Sequence, residues 1–283
     1  MNYDHAFHAG NHADVLKHLV LVAVLEALAR KPAPYFVLDT HAGQGRYRLQ
    51  AEAAQRSGEA RDGIERLQAR LGKISTLAPA LAAYMAAIAS ELSLGAYPGS
   101  PLLIAQALRP QDHLACCEIK PETAHTLKKN LARDARIAVH QRDGYKAIKA
   151  LLPPALKCGL VLIDPPYEAQ LAEFDAVLAA LGTGLARWPQ AIFAVWYPIK
   201  QRRDVMPFLR AAEGLPCKSS FTVELRSQAE DSPLRLTGSG MLLINPPWQL
   251  DQVLEAALPQ LAEALFGRQD FWLLQPLRQE FPA

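Results

Sequence analysis

Seven times along this chain a short apolar run breaks off on an acid, a glycine or a proline: "YFVLDTHAGQG" (35–45), "HLACCEI" (113–119), "IAVHQRDG" (137–144), "GLVLIDPPY" (159–167), "AIFAVWYP" (191–198), "SSFTVELR" (219–226) and "GMLLINPPW" (240–248). Between most of them lie helical patterns such as "ETAHTLKKNLARD" and "FDAVLAALGTGLARW". Strands alternating with helices specify a mainly parallel, doubly wound α/β sheet. The last two runs are joined by a polar loop, "SQAEDSPLRLTGS", with no helix, so they are expected to pair antiparallel. The expectation is a seven-stranded, mostly parallel sheet ending in an antiparallel hairpin. From Arg46 to Pro98 only Ala- and Leu-rich helical patterns occur, which predicts a helical insertion subdomain over residues 47–98 within a single domain spanning 1–283.

The chain has 283 residues, half of them hydrophobic, enough to bury a large core. It contains no run of 18 apolar residues, and the polar start with Asp4, His5 and His8 lacks the layout of a signal peptide. A cytoplasmic protein without membrane contact is expected. The cysteines, Cys116, Cys117, Cys158 and Cys217, have neither disulfide nor zinc-site spacing and read as packed thiols. Net charge is only +2, but nine basic residues between Ile119 and Lys157 (Lys120, Lys128, Lys129, Arg133, Arg136, Arg142, Lys146, Lys149, Lys157) face three acids (Glu122, Asp134, Asp143). Such an excess suits either a phosphate backbone or an ordinary solvated helix face.

The first run ends in Asp39 and then turns through Gly43 and Gly45. Glycines after a first strand let a nucleotide-type cofactor approach the backbone, but Arg48 stands where a dinucleotide fingerprint needs its third glycine. That disfavours a pyrophosphate-bearing cofactor. Glu118 closes the second strand, where a carboxylate can accept protons from two ribose hydroxyls, and Asp143-Gly144 closes the third, where one can accept from an adenine amino group. Acids also end strands merely to cap the next helix. Three successive strand tips with Asp39, Glu118 and Asp143 point beyond capping, to an adenosine cofactor without a pyrophosphate, and S-adenosylmethionine fits.

Asp164-Pro165-Pro166-Tyr167 ends the fourth strand, which in a doubly wound sheet neighbours the first at the ligand crevice. Methylating an exocyclic amine requires acceptors for its two N–H bonds, because the lone pair is delocalised into the ring. The Asp164 carboxylate can take one N–H and the Pro165 carbonyl the other, aimed by the locked φ angles of the diproline. The Tyr167 ring is expected to offer a stacking face to an extruded base. Asn245-Pro246-Pro247-Trp248 has the same form but closes the final strand, after the cofactor acids, and is expected to be structural or to line the substrate side. His12 and His18 would point about 240° apart on a helix, so no metal site is expected. Asn11, Asp14, Lys17 and His18 read as polar groups of a leading helix over the pocket.

Taken in order, "HAFHAGNHADVLKH", "LDTHAGQGRY", "YPGSPL", "LIDPPYE", "WYPI" and "SGMLLINPPW" resemble the bacterial ribosomal RNA large subunit methyltransferase J family over nearly the whole chain. The resemblance implies a Rossmann-like class I S-adenosylmethionine-dependent methyltransferase that modifies N6 of one adenine in 23S rRNA. It implies a monomer acting on deproteinised or early-assembly RNA without an obligate protein partner. By resemblance His18, His41, Ser100, Glu118, Asp143 and Gly144 contact the cofactor, Asp164 is the catalytic acceptor, and Tyr3 and Lys17 lie on the substrate side. The strand end "CCEIKP" departs from the family's more polar one but keeps the carboxylate. A DNA adenine-N6 or protein glutamine-N5 methyltransferase would share the tetrad chemistry; an RNA-binding protein of the same fold without activity would not need it.

Overall fold

Helix α1 (His12–Ala29) begins where its cap dictates: Asn11 is extended, and its side chain accepts a hydrogen bond from the Asp14 N–H at 2.9 Å. The computed structural model describes residues 5–72, 74–131, 134–227 and 236–278. A turn of 3-10 helix (His5–Phe7) precedes α1, and strand β1 (Tyr35–Asp39) follows it. Next, β2 (Arg46–Arg48) and β3 (Ala96–Pro98) pair antiparallel, enclosing α2 (Glu52–Ser57), a kinked turn (Arg61–Glu65), α3 (Arg66–Leu71) and α4 (Pro79–Ser93). The sequence reading sees no strand in this interval, because three-residue strands are too short to show a period.

The chain then alternates: α5 (Ser100–Ala107), β4 (His113–Glu118), α6 (Pro121–Asn130), β5 (Ile137–Gln141), α7 (Gly144–Leu151), β6 (Cys158–Ile163), α8 (Gln170–Arg187), β7 (Ile192–Ile199) and α9 (Arg202–Glu213). It ends with β8 (Ser220–Arg226), β9 (Gly238–Ile244), α10 (Leu250–Phe266) and β10 (Trp272–Arg278). The main sheet runs β10-β8-β9-β7-β6-β1-β4-β5. Strands β5, β4, β1, β6 and β7 are parallel, so their C-terminal tips share one edge, and β9 is antiparallel to both β7 and β8. The expected hairpin is present, but the sheet has eight strands, not seven. The added strand, β10, pairs antiparallel with β8. It escapes sequence reading because Pro276 interrupts the run; as an edge strand it tolerates the missing N–H.

The pleat divides the core. In β6, Leu160 and Leu162 face the layer of α1, α4, α5 and α10, whereas Val161 and Ile163 face α7, α8 and α9. Helix α1 is buried on nearly every side, between the sheet and the helices of residues 46–98. Its polar residues therefore need partners within the protein. No helix of the described residues is long and apolar enough to cross a membrane. Leu162 is fully buried in the central strand. Leu162→Ala should lower the unfolding free energy by about 2–5 kcal/mol in urea denaturation, from lost transfer energy and the cavity left behind.

Candidate active site

The tips of β1, β4, β5 and β6 surround a cavity of about 360 Å³, at the point where strand order reverses on either side of β1. Backbone bonds set its floor. The Thr40 N–H and hydroxyl both donate to the Leu162 carbonyl (3.1 and 2.8 Å), and the Ala42 N–H donates to Cys117 O (2.9 Å), so the turn after β1 is tied to both neighbouring strands. Two glycines are required there. Gly43 has φ +60°, and a Cβ on Gly144 would lie 2.1 Å from Thr40 O.

The three acids of the sequence reading separate into two situations. Glu118 and Asp143 reach the cavity wall. Glu118 accepts from the N–H groups of Gly43 (3.1 Å) and Lys120 (2.8 Å), while Asp143 Oδ1 caps α7 by accepting from the N–H groups of Tyr145 and Lys146. Capping and cavity lining coexist at Asp143. Asp39 does not reach the wall: it is fully buried beneath Ser100, whose hydroxyl donates to Asp39 Oδ2 at 2.7 Å. Burial pushes its carboxyl up to about 7, against the Ser100 hydrogen bond that favours the charged form. Ser100, His41 and Gly43 do line the cavity.

Helix α1 supplies the opposite wall with Lys17 and His18. Lys17 Nζ lies 2.8 Å from Asp14 Oδ1 and 2.5 Å from Asp164 Oδ2, with both ends buried or nearly so. Asp14 Oδ2 is also 3.0 Å from His5 Nε2 and accepts from the Gly10 N–H. Burial alone would lower the lysine and raise the aspartate; the opposite charges outweigh it, holding the Lys17 ammonium above its ordinary range and the Asp14 carboxyl well below its own. His18 Nδ1 meets Tyr97 Oη at 2.8 Å, and Tyr97 in turn meets Tyr84 Oη at 3.0 Å. Burial and the Lys17 charge depress His18 to about 3, and burial depresses His41 to about 4, so both imidazoles are neutral at physiological pH.

The tetrad is split by the structure. Asp164 and Pro166 line the cavity; Pro165 and Tyr167 do not. The expected stacking face of Tyr167 is turned into the core, where the residue is 7% exposed and its hydroxyl donates to Trp196 O at 2.8 Å. Its ring packs on Phe174 and Trp196. The second tetrad lies at the other edge of the sheet, because β9 runs antiparallel to β7 and Ile244 pairs with Phe193 near the start of that strand. There Asn245, with φ +49°, donates to the carbonyls of Pro189 and Ala191 and accepts from the Lys218 N–H, while Trp248 is exposed. Asn245 therefore ties this turn to the neighbouring loops, and it does not line the cavity. Tyr3 lies outside the described residues.

Three wall or support residues escape sequence reading. Tyr145 donates to Glu173 Oε1 at 2.5 Å, joining α7 to α8 at the cavity wall, and Tyr97 orients His18. Tyr97 stands beside the "PGSPL" stretch, but nothing local marks its hydroxyl for His18 across 79 positions.

A doubly wound sheet with an antiparallel end, a cavity over its switch point and carboxylates at successive tips defines a Rossmann-like class I methyltransferase. A family model described as ribosomal RNA large subunit methyltransferase D, RlmJ, matches residues 32–275, and the chain belongs to that family. It is 39% identical over 268 residues to a protein of Escherichia coli and 38% identical over 270 residues to one of Haemophilus influenzae, both named ribosomal RNA large subunit methyltransferase J, with 94% of each chain covered. A crystal structure of a Legionella pneumophila protein superposes with a TM-score of 0.84 at 30% identity, over 95% of this chain and 97% of that one. The methyl donor is S-adenosylmethionine. The donor set fits it: His18, which lines the cavity, has a buried Nε2 without a partner among the described residues, and the strand-tip carboxylates Glu118 and Asp143 face the same cavity.

Asp39 gives a signed pH effect. Its folded value, about 7, exceeds the unfolded one, so the carboxyl favours folding at low pH and that contribution is lost as pH rises from about 4 to 7. Asp39→Asn should therefore gain stability relative to wild type over this window, by at most about 1.4 kcal/mol per pH unit. Chemical denaturation of both proteins at pH 5 and pH 8 checks it.

Proposed function

We propose that this protein methylates the N6 amino group of one adenine in 23S rRNA. The observation that carries the reading is the Asp164 carboxylate, held in the cavity wall by Lys17 beside the cofactor acids. S-adenosylmethionine, when bound, supplies an electrophilic sulfonium methyl. Glu118 would hold its ribose hydroxyls and Asp143, with the Gly144 backbone, its adenine. His18, His41, Gly43 and Ser100 would surround the amino-acid end, with Asp39 behind Ser100.

Lys17 takes Asp164 Oδ2, so Oδ1 is the oxygen left for one N–H of the substrate amine. The Pro165 carbonyl, one peptide further on, is the acceptor for the other N–H once it turns toward the cavity, which Pro165 does not line before substrate binds. With both N–H bonds engaged, the nitrogen lone pair is directed at the methyl, and fixed acceptors avoid reorganisation during transfer. Asp164, ion-paired with Lys17, then holds developing positive charge at the nitrogen. Lys17 and Tyr3 belong to the substrate side.

The base must leave its stack to reach this pocket, which favours RNA free of bound proteins. Lys120 at the cavity wall and the exposed Lys146 near it suit the flanking phosphates, whereas Arg136 is committed to Asp134 and Leu108 O. Residues 47–98 act as a helical insertion subdomain of one methyltransferase domain, and the protein works as a cytoplasmic monomer.

The test is transfer of labelled methyl from S-adenosylmethionine to deproteinised 23S rRNA, total tRNA and DNA. Label is expected as N6-methyladenine in 23S rRNA alone; no label there with cofactor-bound protein would overturn the reading. Asp164→Asn should lower the transfer rate by about 10²–10³-fold with cofactor affinity retained. Asn245→Ala should retain most activity per folded molecule while losing about 1–2 kcal/mol of stability, because it removes hydrogen bonds to exposed and half-buried backbone groups and places alanine at a left-handed φ. An inactive but stable Asn245→Ala protein would reverse the assignment.

A further inference from the structure

We propose that the Tyr167 hydroxyl is a positioning group that anchors the acceptor segment to strand β7, and that the Tyr167 ring is not the surface on which the substrate base stacks. The proposal rests on the adenine-methylation reading above.

Between Ile163, where β6 ends, and Gln170, where α8 begins, the chain has no regular secondary structure. Pro165 and Pro166 carry no N–H, so the sheet cannot hold this segment through bonds they donate. The next N–H, of Glu168, turns back onto Pro166 O. Side chains at the two ends do the fixing. On one side Lys17 holds Asp164 Oδ2; on the other the Tyr167 hydroxyl donates to Trp196 O in the adjacent strand β7.

The ring itself is committed elsewhere. It lies edge-on to Trp196 (centroids 5.6 Å apart, planes at 64°) and tilted against Phe174 (5.4 Å, 60°), and Phe174 stacks in turn on Phe208. Turning the ring outward to meet a base would break the hydroxyl bond and both ring contacts. It would also release the segment that carries Asp164 at the moment when the carboxylate must be still. Misplacing a reacting group by 1 Å costs about 10²-fold in rate, so an anchor three residues from Asp164 bears directly on transfer.

Tyr167→Phe separates the two roles, since it keeps a stacking ring and removes the hydroxyl. The single-turnover rate is expected to fall about tenfold to hundredfold, while the Kd for S-adenosylmethionine and the KM for RNA stay near wild type. A rate close to wild type overturns the proposal. So does a joint loss of rate, cofactor affinity and thermal stability, which would mean that the hydroxyl only supports the fold. A second measurement uses RNA with 2-aminopurine at the target position: Tyr167→Leu should leave the emission of the extruded base as in wild type, and a rise caused by lost ring quenching would show stacking. Both assays are run on whichever nucleic acid wild type methylates. Failure of the adenine reading then appears in wild type, and failure of this proposal only in the difference between wild type and variant.

Discussion

Lys17 Nζ sits between Asp14 and Asp164 in a place that water scarcely reaches, and the geometry of the site hangs on it. Removing one partner from a buried ion pair costs about 3–5 kcal/mol, whereas replacing the whole set by apolar residues is often neutral. Such a triad is therefore explained by what it positions better than by what it stabilises. It joins a helix from the start of the chain to the loop after β6, 147 residues away. It also holds the Asp164 carboxylate at the cavity wall.

The surrounding structure makes this possible in layers. Burial of α1 on nearly every side forces its polar residues to find partners inside, and Asp14, Lys17 and His18 find them at the cavity. Parallel pairing of β1 with β4 and β6 brings three strand tips to one edge. Close glycine contacts then let the turn after β1 lie against the start of α7. Each layer is apolar packing first and chemistry second.

Much of this was legible in the residues. The strand ends carrying Glu118, Asp143 and Asp164 could be read because each motif is local: an apolar run, a polar stop, a helix. The terminal hairpin was legible for the same reason. What was not legible was long in range or weak in pattern. Strand β10 hides behind Pro276, and β2 and β3 are three residues each. The burial of Asp39 beneath Ser100, the turn of Tyr167 into the core, and the Tyr145–Glu173 bond all depend on which neighbours the fold delivers.

The two diproline tetrads mark the boundary. By itself the sequence determined that each ends a buried strand and that the first follows a set of cofactor acids, because strand periodicity and proline stereochemistry act over a few residues. Only the tertiary structure decided that they stand at opposite edges of the sheet. Strand direction is set by pairing between β7 and β9, and that pairing is fixed by which faces the whole core must bury.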